Sequence, residues 1–317
     1  MDSRIRILDS YRAIAILAVI SYHYYHRWDE LLPYEGLDFF GIGKYGVQFF
    51  FVISGFVIHY TLTRKESLLS FYSARLIRLL PTMVIFSTIT FLFFKLFPLN
   101  IHPRFDNDWG DLLASWTFVE PSLINRIFNT KVTYIDGAYW SLWYEVRLYI
   151  WVGIIYFANK RTFLRNWIIF TCLLNIWMYV PRSTFPEIFT INFDSILPVG
   201  WINYFTLGVI FYLLYAEEKI RPGLIYTLLL IFVLETIRIR NFAYGNNFLA
   251  FNVITGLFLL FTFKMPLPKF FESKIMVKMG RASYGLYLLH QNVGLALIYF
   301  TLSAVALPPV LVCLSVV

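Results

Sequence analysis

The run Ile7-Leu8-Asp9-Ser10-Tyr11-Arg12-Ala13-Ile14-Ala15-Ile16-Leu17-Ala18-Val19-Ile20-Ser21-Tyr22-His23 is apolar enough to enter a bilayer, yet it carries Arg12 near one end and His23 at the other. The two are eleven residues apart, close to three helical turns. On an α-helix they would share one face, separated by a rise of ~16 Å. Ionisable side chains are expensive in hydrocarbon and face protein or water, so the pair is a candidate functional site. The competing reading is that Arg12 snorkels to the headgroups and His23 sits in the interface, as His26 is expected to do.

Working outward, 59% of the 317 residues are hydrophobic, 20% aromatic and 15% charged, with a mean hydropathy of +0.64. That composition is a polytopic membrane protein's. The first apolar run lacks the small-residue cleavage site of a signal peptide, so it is expected to insert unprocessed as the first span. Cys172 and Cys313 lie in apolar runs and read as core packing. Two cysteines form no disulfide framework, and no metal-ligand spacing is present.

Apolar runs long enough to span fall near 7–24, 45–62, 79–97, 140–158, 166–181, 197–215, 222–237, 247–264 and 283–303. A tenth would begin after Pro308 and Pro309, but the eight residues from Val310 to Val317 make only ~12 Å of helix. That span is expected to be short or truncated. Continuous apolar runs, rather than alternating strands, predict an all-α, polytopic transmembrane helical bundle. Residues 1–317 are read as a single membrane domain with nine clear spans.

With the N-terminus cytoplasmic, sixteen of the 27 Lys and Arg residues fall inside and eight outside, and Arg12, Lys95 and Arg147 lie within spans. The positive-inside rule therefore puts the N-terminus inside, Arg12 on the cytoplasmic side and His23 towards the exterior. The formal net charge of +8 is then a matter of topology and anionic lipid, with no nucleic acid implied.

Four further places carry polar chemistry. Ser54, in Phe50-Phe51-Val52-Ile53-Ser54-Gly55-Phe56, sits in no G-x-S-x-G elbow, and a Ser-Gly pair in a membrane helix favours close helix packing over nucleophilic chemistry. Arg75 and Arg78 are three residues apart at a cytoplasmic helix end, where they either anchor topology or form a fork suited to phosphate. Glu145, in Trp140-Ser141-Leu142-Trp143-Tyr144-Glu145, lies at nearly the depth of His23. It either orients that imidazole or pairs locally with Arg147 or Lys131. His290, in Ser283-Tyr284-Gly285-Leu286-Tyr287-Leu288-Leu289-His290, reads as pocket-lining. The segment from Pro98 to Tyr139, with His102, Asp106, Asp108, Trp109, Asp111, Glu120 and Asp136, is compatible with carbohydrate binding, although interfacial aromatic belts look similar. Trp109 to Phe118 is expected to form a short interfacial helix.

Taken in order, Arg12 and His23 after Leu8-Asp9, the Phe-Phe-x-x-Ser-Gly-Phe run, Arg75-x-x-Arg78 with Pro81, Trp140-Ser141-Leu142-x-x-Glu145 and Ser283-Tyr284-x-x-Tyr287-Leu288-x-His290 resemble the acyltransferase type 3 family. The resemblance covers nearly the whole chain. It implies a multi-span O-acyltransferase, most often an O-acetyltransferase, that moves an acyl group from cytoplasmic acyl-CoA to a hydroxyl of a cell-surface glycan or glycolipid, such as a polysaccharide or lipopolysaccharide.

The same resemblance implies no resident cofactor, acetyl-CoA as co-substrate, and the plasma (inner) membrane of a bacterium as location. Arg75 and Arg78 would bind the CoA phosphates. Arg12 would stabilise the donor or charge developing at the thioester. His23 would be general base or transient acyl carrier, with Glu145 orienting it. Ser54, Trp140, Ser141, Tyr287 and His290 would line the pocket. The alternatives are a transporter, for which no internal repeat is visible, and a catalytically inactive membrane scaffold of a glycan-assembly system. The H-x-x-x-x-D signature of other acyltransferases, a P-loop and G-x-G-x-x-G are all missing.

Overall fold

The computed structural model describes residues 5–27, 37–99, 103–186, 193–217, 221–242 and 247–304, together with 312, 313 and 316; all regular structure among them is helical. The α-helices are α1 (Arg6–Tyr22), α2 (Gly46–Leu62), α3 (Leu68–Leu96), α4 (Trp109–Trp116), α5 (Pro121–Phe128) and α6 (Trp140–Ala158). They continue with α7 (Phe163–Tyr179), α8 (Ile202–Ala216), α9 (Pro222–Phe242), α10 (Asn247–Thr262), α11 (Lys274–Leu289) and α12 (Asn292–Ala304). Asp38–Leu62, Leu68–Leu96 and Pro222–Phe242 are each long and apolar enough to cross a membrane, which marks a membrane protein. Helices α11 and α12 make a fourth crossing if counted as one broken span, and α8 and α10 are apolar but shorter. Among the described residues, three helices, or four spans with the broken pair counted as one, thus have the length and hydropathy to cross, against the nine spans expected.

The run at 283–303, read as one span, is corrected by the structure: α11 ends at Leu289, α12 begins at Asn292, and their axes are bent by 78°. The break falls on His290-Gln291-Asn292, three polar residues in succession whose side chains are all buried. Backbone freed at such a break must find partners when water is excluded. The Asn292 N–H does so, donating to Asp136 Oδ2 at 2.8 Å. A short helix does form where one was expected over 109–118: it is α4, opened by a capping box between Asp108 and Asp111. The possible tenth span lies outside the described residues except at 312, 313 and 316, and His102 lies outside them too.

The chain forms two compact units: residues 1–47, 77–143 and 274–317 in the first, and 48–76 with 144–273 in the second. In the first, α1 packs along α11 with Ala13, Ala15, Ile16 and Val19 buried. The helices meet most closely at Gly280, where a Cβ would lie 1.7 Å from the Asp9 carbonyl oxygen. In the second, α2 and α8 are in backbone contact: a Cβ at Gly55 would meet the Phe205 carbonyl at 2.0 Å, and one at Gly208 the Val52 carbonyl at 2.0 Å. Small residues permit such approach in membrane helices, so the Ser54-Gly55 pair does contribute to packing through its glycine. The same unit buries a polar network in which Asn203 donates to Glu235 at 2.9 Å and exchanges hydrogen bonds with Asn175, while Arg238 forks onto Glu235. Each member has a partner, as buried polar groups require.

Candidate functional site

Helix α1 ends at Tyr22, and His23–Arg27 continue it as a single π-helical turn. Wider turns of this kind recur at functional sites because they re-aim side chains. Here the turn buries Tyr24 and Tyr25 and leaves His23 half-buried with both flanks of its ring engaged. His23 Nδ1 lies 2.9 Å from the Val19 carbonyl oxygen. A carbonyl only accepts, so Nδ1 carries the proton and Nε2 the lone pair. The Gln291 side chain also hydrogen-bonds His23.

His290, fully buried at the break between α11 and α12, stands edge-on to His23 with ring centroids 4.8 Å apart. Its Nδ1 lies 2.7 Å from the Tyr287 carbonyl, which fixes the proton there. Its Nε2, left as an acceptor, faces His23 Nδ1 at 3.3 Å. The result is a base whose tautomer is held from two sides. A neutral imidazole so oriented can take a proton at Nε2 or add to a carbonyl through the same lone pair.

His23 forms part of the wall of a cavity of about 420 Å³, within the usual size range for small-molecule sites. Tyr22, Trp140 and Tyr287 supply aromatic surface, Gln291 an amide, and Arg27, Lys44 and Arg104 positive charge. Tyr287 is held by Ser141, whose Oγ is 2.7 Å from its hydroxyl, and by the Ala138 carbonyl at 2.8 Å. Of the five residues expected to line a pocket, Trp140 and Tyr287 therefore line this one. Ser141 stands behind Tyr287, His290 stands behind His23, and Ser54 lies in the second unit.

Arg12 is held by Asp9, with Nη1 2.8 Å from Oδ1; Asp9 is fully buried and its Oδ2 lies 3.6 Å from Arg281 Nε. The carboxylate thus joins α1 to α11 through two guanidinium groups. In the second unit, Glu145 accepts from Ser54 Oγ at 3.1 Å and from the Tyr149 hydroxyl. Arg147, considered as a local partner of Glu145, instead donates to the carbonyls of Asp194 and Leu197 at 2.6 and 2.9 Å. Within its own unit His23 is oriented by Val19, His290 and Gln291. Arg75 and Arg78 are one turn apart on α3: Arg75 donates to Thr61 Oγ1 at 3.1 Å and Arg78 is exposed.

Several contributors were not singled out in sequence. Gln291 and the pairing role of His290 are signalled only by the polar triplet His290-Gln291-Asn292 inside an apolar run. Arg27, Lys44 and Arg104 read as ordinary loop cations, and nothing local distinguishes them. Asp136 was one of many loop carboxylates, yet it is fully buried and accepts from the Ala138 and Asn292 amides at 2.8 Å each. Burial pushes its carboxyl up to about 6, against the pull of those two donors. Asp111, by contrast, serves the loop's own structure, accepting from the backbone and hydroxyl of Thr133.

Residues 5–317 match a family model described as an acyltransferase domain. Over 89% of its length the chain is 27% identical to the peptidoglycan O-acetyltransferase OatA of Listeria monocytogenes, covering 48% of that protein. It is 25% identical over 89% of its length to a Staphylococcus aureus (strain COL) protein named "Putative O-acetyltransferase", covering 49% of it. It is 24% identical over 86% of its length to the "Putative acetyltransferase ORF330" of Acidianus two-tailed virus, covering 79% of it. The chain thus spans about half the length of the two bacterial relatives. No solved structure matches it.

Proposed function

This chain belongs to the acyltransferase family, and on that premise we propose that it is a membrane O-acetyltransferase, transferring acetyl from acetyl-CoA to a hydroxyl of a cell-envelope glycan or glycolipid. The observation that carries the reading is His23: a histidine with Nδ1 protonated and its lone pair on Nε2, forming the wall of a sugar-sized cavity with aromatic sides. In the proposed reaction Nε2 takes the proton of the acceptor hydroxyl as its oxygen attacks the thioester carbonyl. The C–S bond then breaks, and the CoA thiolate leaves with the proton returned by the imidazolium. No resident cofactor is needed.

His290 and Gln291 keep His23 oriented, and Glu145, held by Ser54 and Tyr149, is proposed to assist it. Arg12, braced by Asp9, is proposed to stabilise negative charge on the donor thioester. Arg75 and Arg78 suit the CoA phosphates because guanidinium groups bind phosphate oxygens bidentately and stay charged. The protein is proposed to be multi-pass, with the N-terminus cytoplasmic and nine crossings in a bacterial plasma membrane. In that orientation the donor-binding arginines face the compartment that holds CoA, and His23 points outward. The name of the Listeria relative supports a glycan as acceptor.

The test is transfer of radiolabel from acetyl-CoA to the organism's own surface glycan, in membranes carrying the native protein or His23→Ala. Label in glycan only with His23 intact is the expected result. Full labelling by His23→Ala overturns the role of the histidine. No labelling by either form moves the reading to a transporter or an inactive scaffold.

A further inference from the structure

The break between α11 and α12 carries three successive buried polar residues, and the structure gives them different tasks. His290 stands behind His23. Asn292 is tied down twice, its backbone N–H donating to Asp136 Oδ2 and its Nδ2 to the Ile135 carbonyl, each at 2.8 Å. Gln291, between them, is the member whose side chain enters the cavity wall, and it also hydrogen-bonds His23.

Its setting is rigid. Besides the two bonds to Asn292, the segment 135–139 grips the break through the Tyr139 hydroxyl, which donates to the Leu288 carbonyl at 3.1 Å, and through the Ala138 carbonyl, which accepts from Tyr287 at 2.8 Å. The carboxamide itself lies against Gly137, where a Cβ would come within 2.7 Å of Gln291 Nε2. Glycine at 137 therefore leaves the amide the room it occupies. A carboxamide has two N–H donors and an oxygen with two lone pairs, more than a bond to one imidazole uses. A donor that touches the base is also within reach of the carbonyl under attack, because the attacked carbon lies one bond beyond the oxygen that His23 Nε2 deprotonates. Fixed donors aimed at developing negative charge are usually the largest single contribution to acyl transfer.

We infer that Gln291 is a catalytic residue, donating a hydrogen bond from its amide to the thioester carbonyl oxygen as that oxygen gains negative charge. The inference rests on the proposed acyl transfer. The acceptor oxygen bonds to the carbonyl carbon while its proton passes to His23 Nε2, and the C=O π pair moves onto the oxygen that faces Gln291. When the carbonyl re-forms, the C–S bond breaks and the thiolate takes the proton from the imidazolium. Gln291 gives up no proton in either step; its bond is strongest when the oxygen is charged, which lowers the barrier rather than tightening donor binding.

The experiment uses the full chain in proteoliposomes with acetyl-CoA and with its dithioester analogue, in which sulfur replaces the carbonyl oxygen and accepts hydrogen bonds weakly. In Gln291→Ala and Gln291→Glu, kcat with acetyl-CoA should fall by about 10²–10³-fold, the range for losing one such donor, with both KM values nearly unchanged. The native preference for acetyl-CoA over the dithioester should shrink by roughly tenfold or more in these variants. A residue that only orients His23 would slow both donors alike and leave the preference where it was. Gly137→Ala should fold, because the atom its methyl meets is the end of a side chain, yet it should lose kcat by displacing the amide. Combined with Gln291→Ala it should add nothing. An unchanged donor preference, a rise in KM alone, full activity in Gly137→Ala or additive losses in the double variant would overturn the inference and leave the acyltransferase standing. No transfer by the native protein would overturn both.

Discussion

His290 Nε2 lies 3.3 Å from His23 Nδ1, joining two histidines 267 positions apart in the chain. Because His290 Nδ1 is committed to the Tyr287 carbonyl and His23 Nδ1 to that of Val19, the pair has one consistent arrangement of protons. His23 Nε2 is left as the basic atom, and His290 acts as a positioning residue.

Replacing His290 with Ala should lower kcat for acetyl transfer by ~10²-fold, the usual range for losing a correctly placed base, with the acceptor KM little changed. His290→Gln, which retains an acceptor, should recover part of the loss. A purely structural role would instead lower the amount of folded protein without this split, and equal kcat in His290→Ala and the native enzyme would exclude the positioning role.

Asp9 neutralises Arg12 and approaches Arg281 while fully buried. Asp9→Asn leaves two cations without their shared carboxylate, and breaking such a group typically costs about 3–5 kcal/mol. A marked fall in the thermal midpoint in detergent is expected. An unchanged midpoint would show the ion pair to be energetically idle.

Gly280→Ala puts a methyl where 1.7 Å separates it from the Asp9 carbonyl, and Gly208→Ala does the same against Val52 at 2.0 Å. Backbone cannot yield as a side-chain tip does, so each substitution should destabilise by about 1–3 kcal/mol. Gly223→Ala, with nothing within 4 Å of the added carbon, is the control and should be neutral or slightly stabilising in thermal unfolding.

The Asp136 carboxyl is raised to about 6 from 3.8, so between those values the folded state holds a proton that the unfolded chain releases. Stability from this group is therefore greatest below pH 4 and is lost as pH rises through about 6. The full span is about 3 kcal/mol, taking ~1.4 kcal/mol per pKa unit. Thermal unfolding between pH 4 and 7 should show this slope in the native protein and lose it in Asp136→Asn. An identical slope in both would assign the effect elsewhere.

Arg75→Ala and Arg78→Ala should each raise the KM for acetyl-CoA by roughly tenfold, the equivalent of one charge-assisted hydrogen bond of about 1.4 kcal/mol. The KM for acceptor should hold. Donor titrations in membranes decide this, and an unchanged donor KM in both variants would leave topology as the sole role of the pair.

Much of this was legible in one dimension. Helical class follows from continuous apolar runs, and α6 begins and ends where its run does, at Trp140 and Ala158. Arg12 and His23 stand out because a charge in an apolar helix is itself a local signal. The Ser54-Gly55 pair indicated a close helix contact, but not that Gly208 would be its counterpart. The broken span at Leu289–Asn292 was written in three adjacent polar residues, yet hydropathy averaged over a window hides so short a break.

What the chain's order determined, then, are relations within a few turns: which stretches are helical, which face carries Arg12 and His23, and where glycine permits contact. Only the tertiary structure decided that His290 faces His23, that Asp136 takes the Asn292 amide, and that cations from positions 27, 44 and 104 meet around one cavity. The physical reason is that helical periodicity couples a residue to its neighbours three and four positions away. Partners tens or hundreds of residues distant are selected by packing and by the demand that every buried polar group find a mate.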